Sequence, residues 1–319
     1  MTKAAVIGAD RPVGMDSVAS VVTTCTQRKR VKPAVRGGVG SLACGEQPAV
    51  MRNWLENLAA LPVRTSAIDL YAGRSFGLAK KAAALAGSPL FVVSAGLGLI
   101  SADTHLPSYG LTVSKGKPES VASRVTGQFD AISWFCGLLK CEFSTSWSKV
   151  AEAGDGRVLL ALTRPYAEMV SESLGSLDPD TLSRLRIFGA GVKGALPLTL
   201  RQAVMPYDER LNALIPGTRS DFAQRAMVHF VQSIAHLPLD RAGDAVEVSA
   251  ALANVVSPVA VKRPQRTDAE LLTIIAGRLG PRASASGLLR QLRDEDCIAC
   301  EQGRFGRLFR QASQRESVS

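Results

Sequence analysis

Four short, almost wholly apolar runs, each cut off by small or polar residues, constrain this chain more than any other feature. Val18-Ala-Ser-Val-Val-Thr-Thr24 is rich in β-branched residues and stops at Cys25, and Leu90-Phe-Val-Val93 stops at Ser94-Ala-Gly-Leu-Gly98. Arg157-Val-Leu-Leu-Ala-Leu-Thr163 runs into Pro165, and Leu185-Arg-Ile-Phe188 closes on Gly189-Ala-Gly191. Runs that are apolar throughout, instead of alternating, suit strands covered on both faces. Over 49–61 and 66–86, between the first two runs, and over 221–236, after the last, apolar residues recur at helical spacing, and Pro165 suits the first turn of a further helix. Strands alternating with helices predict an α/β fold with a mixed, partly parallel sheet and flanking helices. Ligands of such sheets sit beyond the carboxyl ends of the strands. Cys25 and Ser94 both fall at such ends, so chemistry is sought there.

With 319 residues the chain exceeds the ~100–200 residues of an ordinary domain. Three parts are predicted: an α/β domain over 1–240, a less patterned linker over 241–266, and a basic helical module over 267–319. The module reads as three helices, 267–279, 284–293 and 301–311. Thr267 caps the first of them, and Glu270 completes a capping box. No segment approaches the ~20 apolar residues that cross a bilayer. The opening MTKAAVIGADRP lacks the basic flank and apolar stretch of a signal peptide. A cytoplasmic protein with no membrane partner is expected. Six cysteines without dense pairing suit free thiols in a reducing compartment. The net charge of +10 and a pI near 9.6 favour polyanionic partners, since Lys and Arg neutralise phosphates.

Two stretches could carry chemistry. In Cys25-Thr-Gln-Arg-Lys29 a thiol ends a strand with an ammonium four residues on, which favours the nucleophilic thiolate. The same residues also read as a buried cysteine beside a solvated basic loop. In the second stretch, Gly96 and Gly98 follow a strand, where bare backbone can approach a base or a phosphate. Ser94, Asp103, His105, Tyr109 and Thr112 crowd the same non-helical segment. Asp103 is the candidate for general acid/base work or for gripping a base edge, and Tyr109 for stacking or hydrogen bonding. A turn built on glycines with Asp103 as a cap is the competing reading.

Taken together, Cys25-x-x-x-Lys29, Asp69-Leu-Tyr71-x-Gly73-x-x-Phe76, Ser94-Ala-Gly-Leu-Gly-Leu, Asp103 and Pro107-x-Tyr109-x-x-Thr112 resemble the YaaA-related group. That group includes α/β domains of unassigned function and the DpdC-like proteins found beside 7-deazaguanine DNA-modification genes and phage-defence operons. The resemblance covers about residues 18–190. It departs at Leu97, where members commonly carry lysine or tyrosine. It implies a site built from Cys25, Lys29, Tyr71, Ser94, Asp103 and Tyr109. It also implies a chemistry in which Cys25 attacks an electrophilic carbon of a deazaguanine base, such as a nitrile, and Asp103 helps to resolve the adduct.

Four further features are weighed. Around Met205-Pro-Tyr-Asp-Glu-Arg210, with Arg219, Asp221 and Arg225 nearby, the charges read as a surface ion-pair network or as a phosphate clamp from Arg210 and Arg219. In the C-terminal module Arg290 and Arg293 share one helix, and Arg304, Arg307 and Arg310 recur every third residue on the next. That pattern reads as a phosphate-contacting face of a helix-turn-helix or winged-helix unit, or as a solvated face of a small bundle. Cys297-Ile-Ala-Cys300 is a lone pair without two further ligands, so no metal is expected. His229 and His236 sit seven apart on one expected helix face, in a packing role.

The resulting expectation is a nucleic-acid or nucleobase modification enzyme that needs no cofactor and acts on a 7-deazaguanine derivative in a DNA-modification or phage-defence system. Cys25, Asp103 and Lys29 are its catalytic candidates, and Tyr71, Ser94, Gly96, Gly98, Tyr109 and Thr112 its substrate-binding ones. DNA is expected as partner ahead of RNA, with a nucleobase and proteins of the same operon beside it. The alternatives are a non-catalytic subunit that binds nucleic acid or a partner, and a base glycosylase or transglycosylase with Asp103 as nucleophile.

Overall fold

Val18–Thr24 is buried at every position because it lies at the centre of a sheet. The structure is a computed structural model that describes residues 17–63, 65–257, 263–280 and 283–316. The opening residues 1–12, on which the signal-peptide reading rests, lie outside the described residues. Seven strands are present among those described: β1 (Val18–Thr24), β2 (Thr65–Ser66), β3 (Leu90–Ser94), β4 (Gly98–Ser101), β5 (His105–Leu106), β6 (Arg157–Ala161) and β7 (Leu185–Phe188). Five of them form one sheet in the order β4-β3-β1-β6-β7. The neighbours β3, β1, β6 and β7 are parallel, and β4 returns antiparallel along β3. The fold is α/β with a mixed, mostly parallel sheet, as the apolar runs predict.

Order and register position the site. From β1 the chain adds β3 on one side, then crosses over to add β6 on the other. Such a reversal opens a crevice at the carboxyl ends of the two strands on either side of it, here β1 and β6. Thr24 pairs with Val93 and Val22 with Leu160, so the ends of β1, β3 and β6 lie close together. The helices Arg74–Ala86 and Phe222–Ser233 pack on one another, the first on β1 and the second on β6 and β7, and Ala131–Leu138 packs on Arg164–Gly175. These helices bury the strands from water on both faces.

Three boundaries differ from the sequence reading. The single helix expected over 66–86 is two, Ala67–Leu70 and Arg74–Ala86. Tyr71 between them is extended and Gly73 holds φ +102, a conformation that only glycine adopts without strain. The turn at 94–98 leads into a hairpin strand, β4, within the segment read only as non-helical. Within the predicted linker over 241–266, the helix Arg241–Ala253 places Asp244, Val248 and Leu252 in the main core. The compact units accordingly span 1–257 and 258–319. Part of the linker, 258–262, lies outside the described residues.

The second unit has its own core of Leu271, Ile275, Leu288, Leu289, Leu292, Ile298, Phe305 and Leu308. Its helices are Asp268–Ala276, Ala285–Asp294 and Gln302–Glu316, and the capping box of Thr267 and Glu270 forms as read. A winged-helix unit needs a β-hairpin. Among the described residues of this unit the one β pairing is an isolated bridge of Gln265 with Ala299. All six cysteines are free, and no helix among the described residues is long and apolar enough to cross a membrane.

Candidate functional site

Cys25 follows β1 at the crevice, where its backbone N–H donates to the Val93 carbonyl of β3. Its thiol lies 3.1 Å from the hydroxyl of Tyr166, in the first turn of the helix that follows β6. The Thr112 side chain stands beside Tyr166 and draws its pKa down against the burial that raises it. Lys29 is placed by backbone pairing. Arg30 N–H donates to the Leu70 carbonyl and Ala72 N–H to the Arg28 carbonyl, so Lys29 and Tyr71 stand opposite each other. The Lys29 ammonium donates to the Thr26 carbonyl at 3.1 Å. It also stands 4.2 Å from the centroid of the Tyr109 ring and 5.6 Å from that of Tyr71, a cation–π arrangement.

Beneath the ammonium runs a chain of hydroxyls. Tyr71 and Tyr109 are 2.8 Å apart, Tyr109 and Ser94 2.5 Å. Ser94 Oγ in turn accepts the backbone N–H groups of Gly96 and Leu97 at 3.2 and 3.0 Å. Two indoles lock this turn from outside: Trp54 donates to the Gly96 carbonyl and Trp134 to the Ala95 carbonyl. Burial pushes the Lys29 pKa down, although Cys25 and Glu119 pull it up. Burial first, and a charge on Cys25 second, push Tyr71, Tyr109 and Tyr166 above the ordinary phenol value. Near neutral pH the three phenols are therefore protonated hydrogen-bond donors. The site combines a thiol, a phenol that can donate to its sulfur, and an ammonium that gives up its proton more readily than an exposed lysine. Cys25 is 9% exposed, so the sulfur is almost covered.

Six of the predicted residues thus meet: Cys25, Lys29, Tyr71, Ser94, Tyr109 and Thr112. Asp103 does not join them. Because β4 is antiparallel to β3, it carries the chain back from Ser94, opposite Gly98, to Phe91, opposite Ser101; Ala102 N–H then bonds the Leu90 carbonyl. Asp103 follows on an exposed turn at the amino ends of the strands. Three to four residues along a strand is ~10–13 Å, so the expected pairing of thiol and carboxylate is not formed.

The reading of Gly96 and Gly98 as ligand-facing backbone is corrected too. A Cβ on Gly96 would lie 2.7 Å from the Tyr109 ring, and one on Gly98, at φ +80, 2.8 Å from the Leu138 carbonyl oxygen. Both glycines make room for protein atoms. Tyr166 escaped the sequence reading, although Pro165 at a helix start directly after a strand marked its neighbour as lying at the crevice.

Elsewhere, Arg225 and Asp221 form a buried pair at 2.8 Å that Arg74 joins at 3.4 Å, while Arg210 pairs with Asp208 at 2.8 Å. This is the ion-pair network, though part of it is buried, and Arg219 is exposed apart from Arg210's partners. His229 Nδ1 meets the Tyr207 hydroxyl at 2.9 Å, and burial lowers its pKa. His236 lies beyond the helix end and is exposed, so the shared face is not formed. In the second unit Arg304 and Arg307 both engage Asp268, and Arg293 donates to the Cys300 carbonyl. Arg290 and Arg310 are exposed without an ion pair among the described residues. No group of metal-ligating side chains occurs among the described residues. Comparison with known proteins returns no match to a family model, a curated protein or a solved structure.

Proposed function

We propose that this chain is a nucleobase-modifying enzyme of the YaaA-related kind, in which Cys25 attacks an electrophilic carbon of a purine-like base. A 7-deazaguanine nitrile is the substrate that suits this chemistry. The observation that carries the reading is the thiol at the crevice between β1 and β6, within 3.1 Å of the Tyr166 phenol and beside Lys29. In the reaction, Cys25 sulfur adds to the nitrile carbon, and the nitrile nitrogen takes up a proton to give a thioimidate. Water then adds to that carbon, and the C–S bond breaks. Amide product and thiol are released, for a net consumption of one water. Tyr166 donates to the sulfur, and the Lys29 ammonium supplies the proton that the nitrile nitrogen takes up, the amine this leaves then accepting the proton of the attacking water. Asp103 has no part in these steps, which also leaves the glycosylase alternative without its nucleophile.

The test is to incubate the protein with a nitrile-bearing 7-deazaguanine as free base, as nucleoside and within DNA, and to follow the gain of one water by mass spectrometry. Turnover is expected for one of these forms and none with Cys25→Ala. Undiminished turnover by Cys25→Ala would remove the thiol from the mechanism. A second reading, a non-catalytic binding subunit, draws support from the near-complete cover over Cys25, Ser94, Tyr71 and Tyr109. It predicts binding of the base without turnover and the same affinity in Cys25→Ala. Nucleic acid as partner, DNA ahead of RNA, rests on the basic second unit.

A further inference from the structure

At the end of the sheet opposite Cys25, three charged side chains lie almost wholly out of water. Asp244 is fully buried, and Arg157 and Arg186 are 7% and 3% exposed. Both guanidinium groups reach the same carboxylate, Arg157 Nε at 2.7 Å and Arg186 Nε at 2.5 Å from Asp244 Oδ2. Among the described residues, two cations and one anion leave a positive charge buried without a counterion, an arrangement that low dielectric makes costly. The two arginines are not equivalent. Every nitrogen of Arg157 donates, to Asp244 and to the carbonyls of Ser17, Ala235, Leu237 and Leu239. Arg186 uses Nε on Asp244 and Nη1 on the carbonyls of Ser183 and Leu185. Its Nη2 has no hydrogen-bond partner among the described residues.

Arg157 and Arg186 line a cleft of about 740 Å³, within the size range of small-molecule sites. Arg184, Arg241 and Ser17 line it as well, and the Ser17 hydroxyl is buried with no hydrogen-bond partner among the described residues. The acidic residues of the lining, Asp155 and Asp240, are exposed at its rim, and the Asp240 carboxylate is engaged in capping Gly243 N–H. Cations therefore sit inside and anions outside. Burial, reinforced by Arg157 and Arg241, also lowers the Arg186 pKa despite Asp244.

We propose that this cleft binds a phosphate-bearing small molecule, whose phosphate oxygens accept from Arg186 Nη2 and Ser17 Oγ and supply the missing counter-charge. The volume exceeds what a bare ion fills, so the remainder of the ligand lies against Leu237, Pro238 and Leu239. The site is separate from the Cys25 crevice and does not depend on the function proposed for it.

The experiment is calorimetric titration of the full chain with inorganic phosphate, guanosine monophosphate and succinate. Phosphate and the nucleotide are expected to bind, the nucleotide more tightly, with succinate silent. Arg186→Met should weaken phosphate at least about tenfold, the size of one charge-assisted hydrogen bond. It should also leave thermal stability in the absence of ligand unchanged or raised, because Arg157 and Asp244 then form a neutral pair. Arg241→Gln, which alters the cleft lining without touching the buried trio, should weaken phosphate several-fold and covers the case in which Arg186→Met does not fold. No heat with phosphate or nucleotide up to about 10 mM would overturn the proposal. So would binding of succinate alone, or phosphate affinity unchanged in both variants.

Discussion

A phenol enclosed by protein keeps its proton well past pH 10, because burial disfavours the charged form. Tyr71, Tyr109 and Tyr166 are in this position, and the half-buried Tyr207, the fourth tyrosine of the chain, is shifted the same way by its burial. A folded-state pKa above the unfolded one means stability that is fully present below pH 10 and lost as pH rises beyond it. Lys29 works in the other direction. Its folded pKa is depressed, so its burial penalty is largest below that value and fades as pH climbs towards the ordinary 10.5. With four phenols against one amine, alkaline unfolding is expected to begin just above pH 10. In a spectroscopic titration at alkaline pH, tyrosinate absorbance should appear only together with loss of circular dichroism. Ionisation of any tyrosine ahead of unfolding would contradict the burial described. Asp244 yields a second expectation at this scale. Asp244→Asn leaves two buried guanidinium groups without a carboxylate and should lower stability by about 3–5 kcal/mol in urea unfolding. A loss typical of a surface ion pair, below about 1 kcal/mol, would show that water reaches the trio.

The turn between β3 and β4 is the element on which the Cys25 site rests. Its Ser94 hydroxyl accepts from two backbone N–H groups, its carbonyls accept from two buried indoles, and the Tyr109 ring packs against Gly96. Gly96→Ala must displace the Tyr109 ring and should destabilise by about 1–3 kcal/mol, as overpacking in cores does. Gly98→Ala adds a positive φ and a contact with the Leu138 backbone, which cannot yield as a side chain can, so it should cost more than Gly96→Ala. Equal stability of the two variants in chemical denaturation would count against this account. In the second unit Thr267→Ala removes a cap whose partners are printed in the sequence itself, at a cost of about 1 kcal/mol.

At the scale of the whole molecule, the chain holds two cores, one over 1–257 and one over 258–319. Units with separate cores can unfold separately. Thiol reactivity at Cys25 and phosphate binding are expected to follow the first, and affinity for DNA the second. The logarithm of DNA affinity should fall steeply with that of salt concentration, with a shallower slope in the double variant of Arg290 and Arg310 to Gln. A flat salt response would argue against phosphate contact by this unit. The neutralisation of Arg304 and Arg307 by Asp268 lowers the number of guanidinium groups free to take part.

The sequence by itself determined the four strands that run parallel, the cap at Thr267 and the α/β class. These depend on uninterrupted apolar runs and on side chains that bond backbone groups a few residues away, all of it local. It also named six of the site residues: Cys25 and Lys29 from their spacing at a strand end, Ser94, Tyr109 and Thr112 from one continuous stretch, and Tyr71 from the family resemblance. Only the tertiary structure decided which distant groups meet. Tyr166 reaches Cys25 across 141 positions because β6 lies beside β1. Asp103 is carried away because β4 turns back along β3, a direction that the apolar pattern of a strand does not encode. The same holds for Arg157, Arg186 and Asp244: a helix that reads as linker folds onto the sheet and brings a carboxylate to two arginines at strand starts. Strand order and direction are properties of the whole packing, and the chemistry of both sites follows from them.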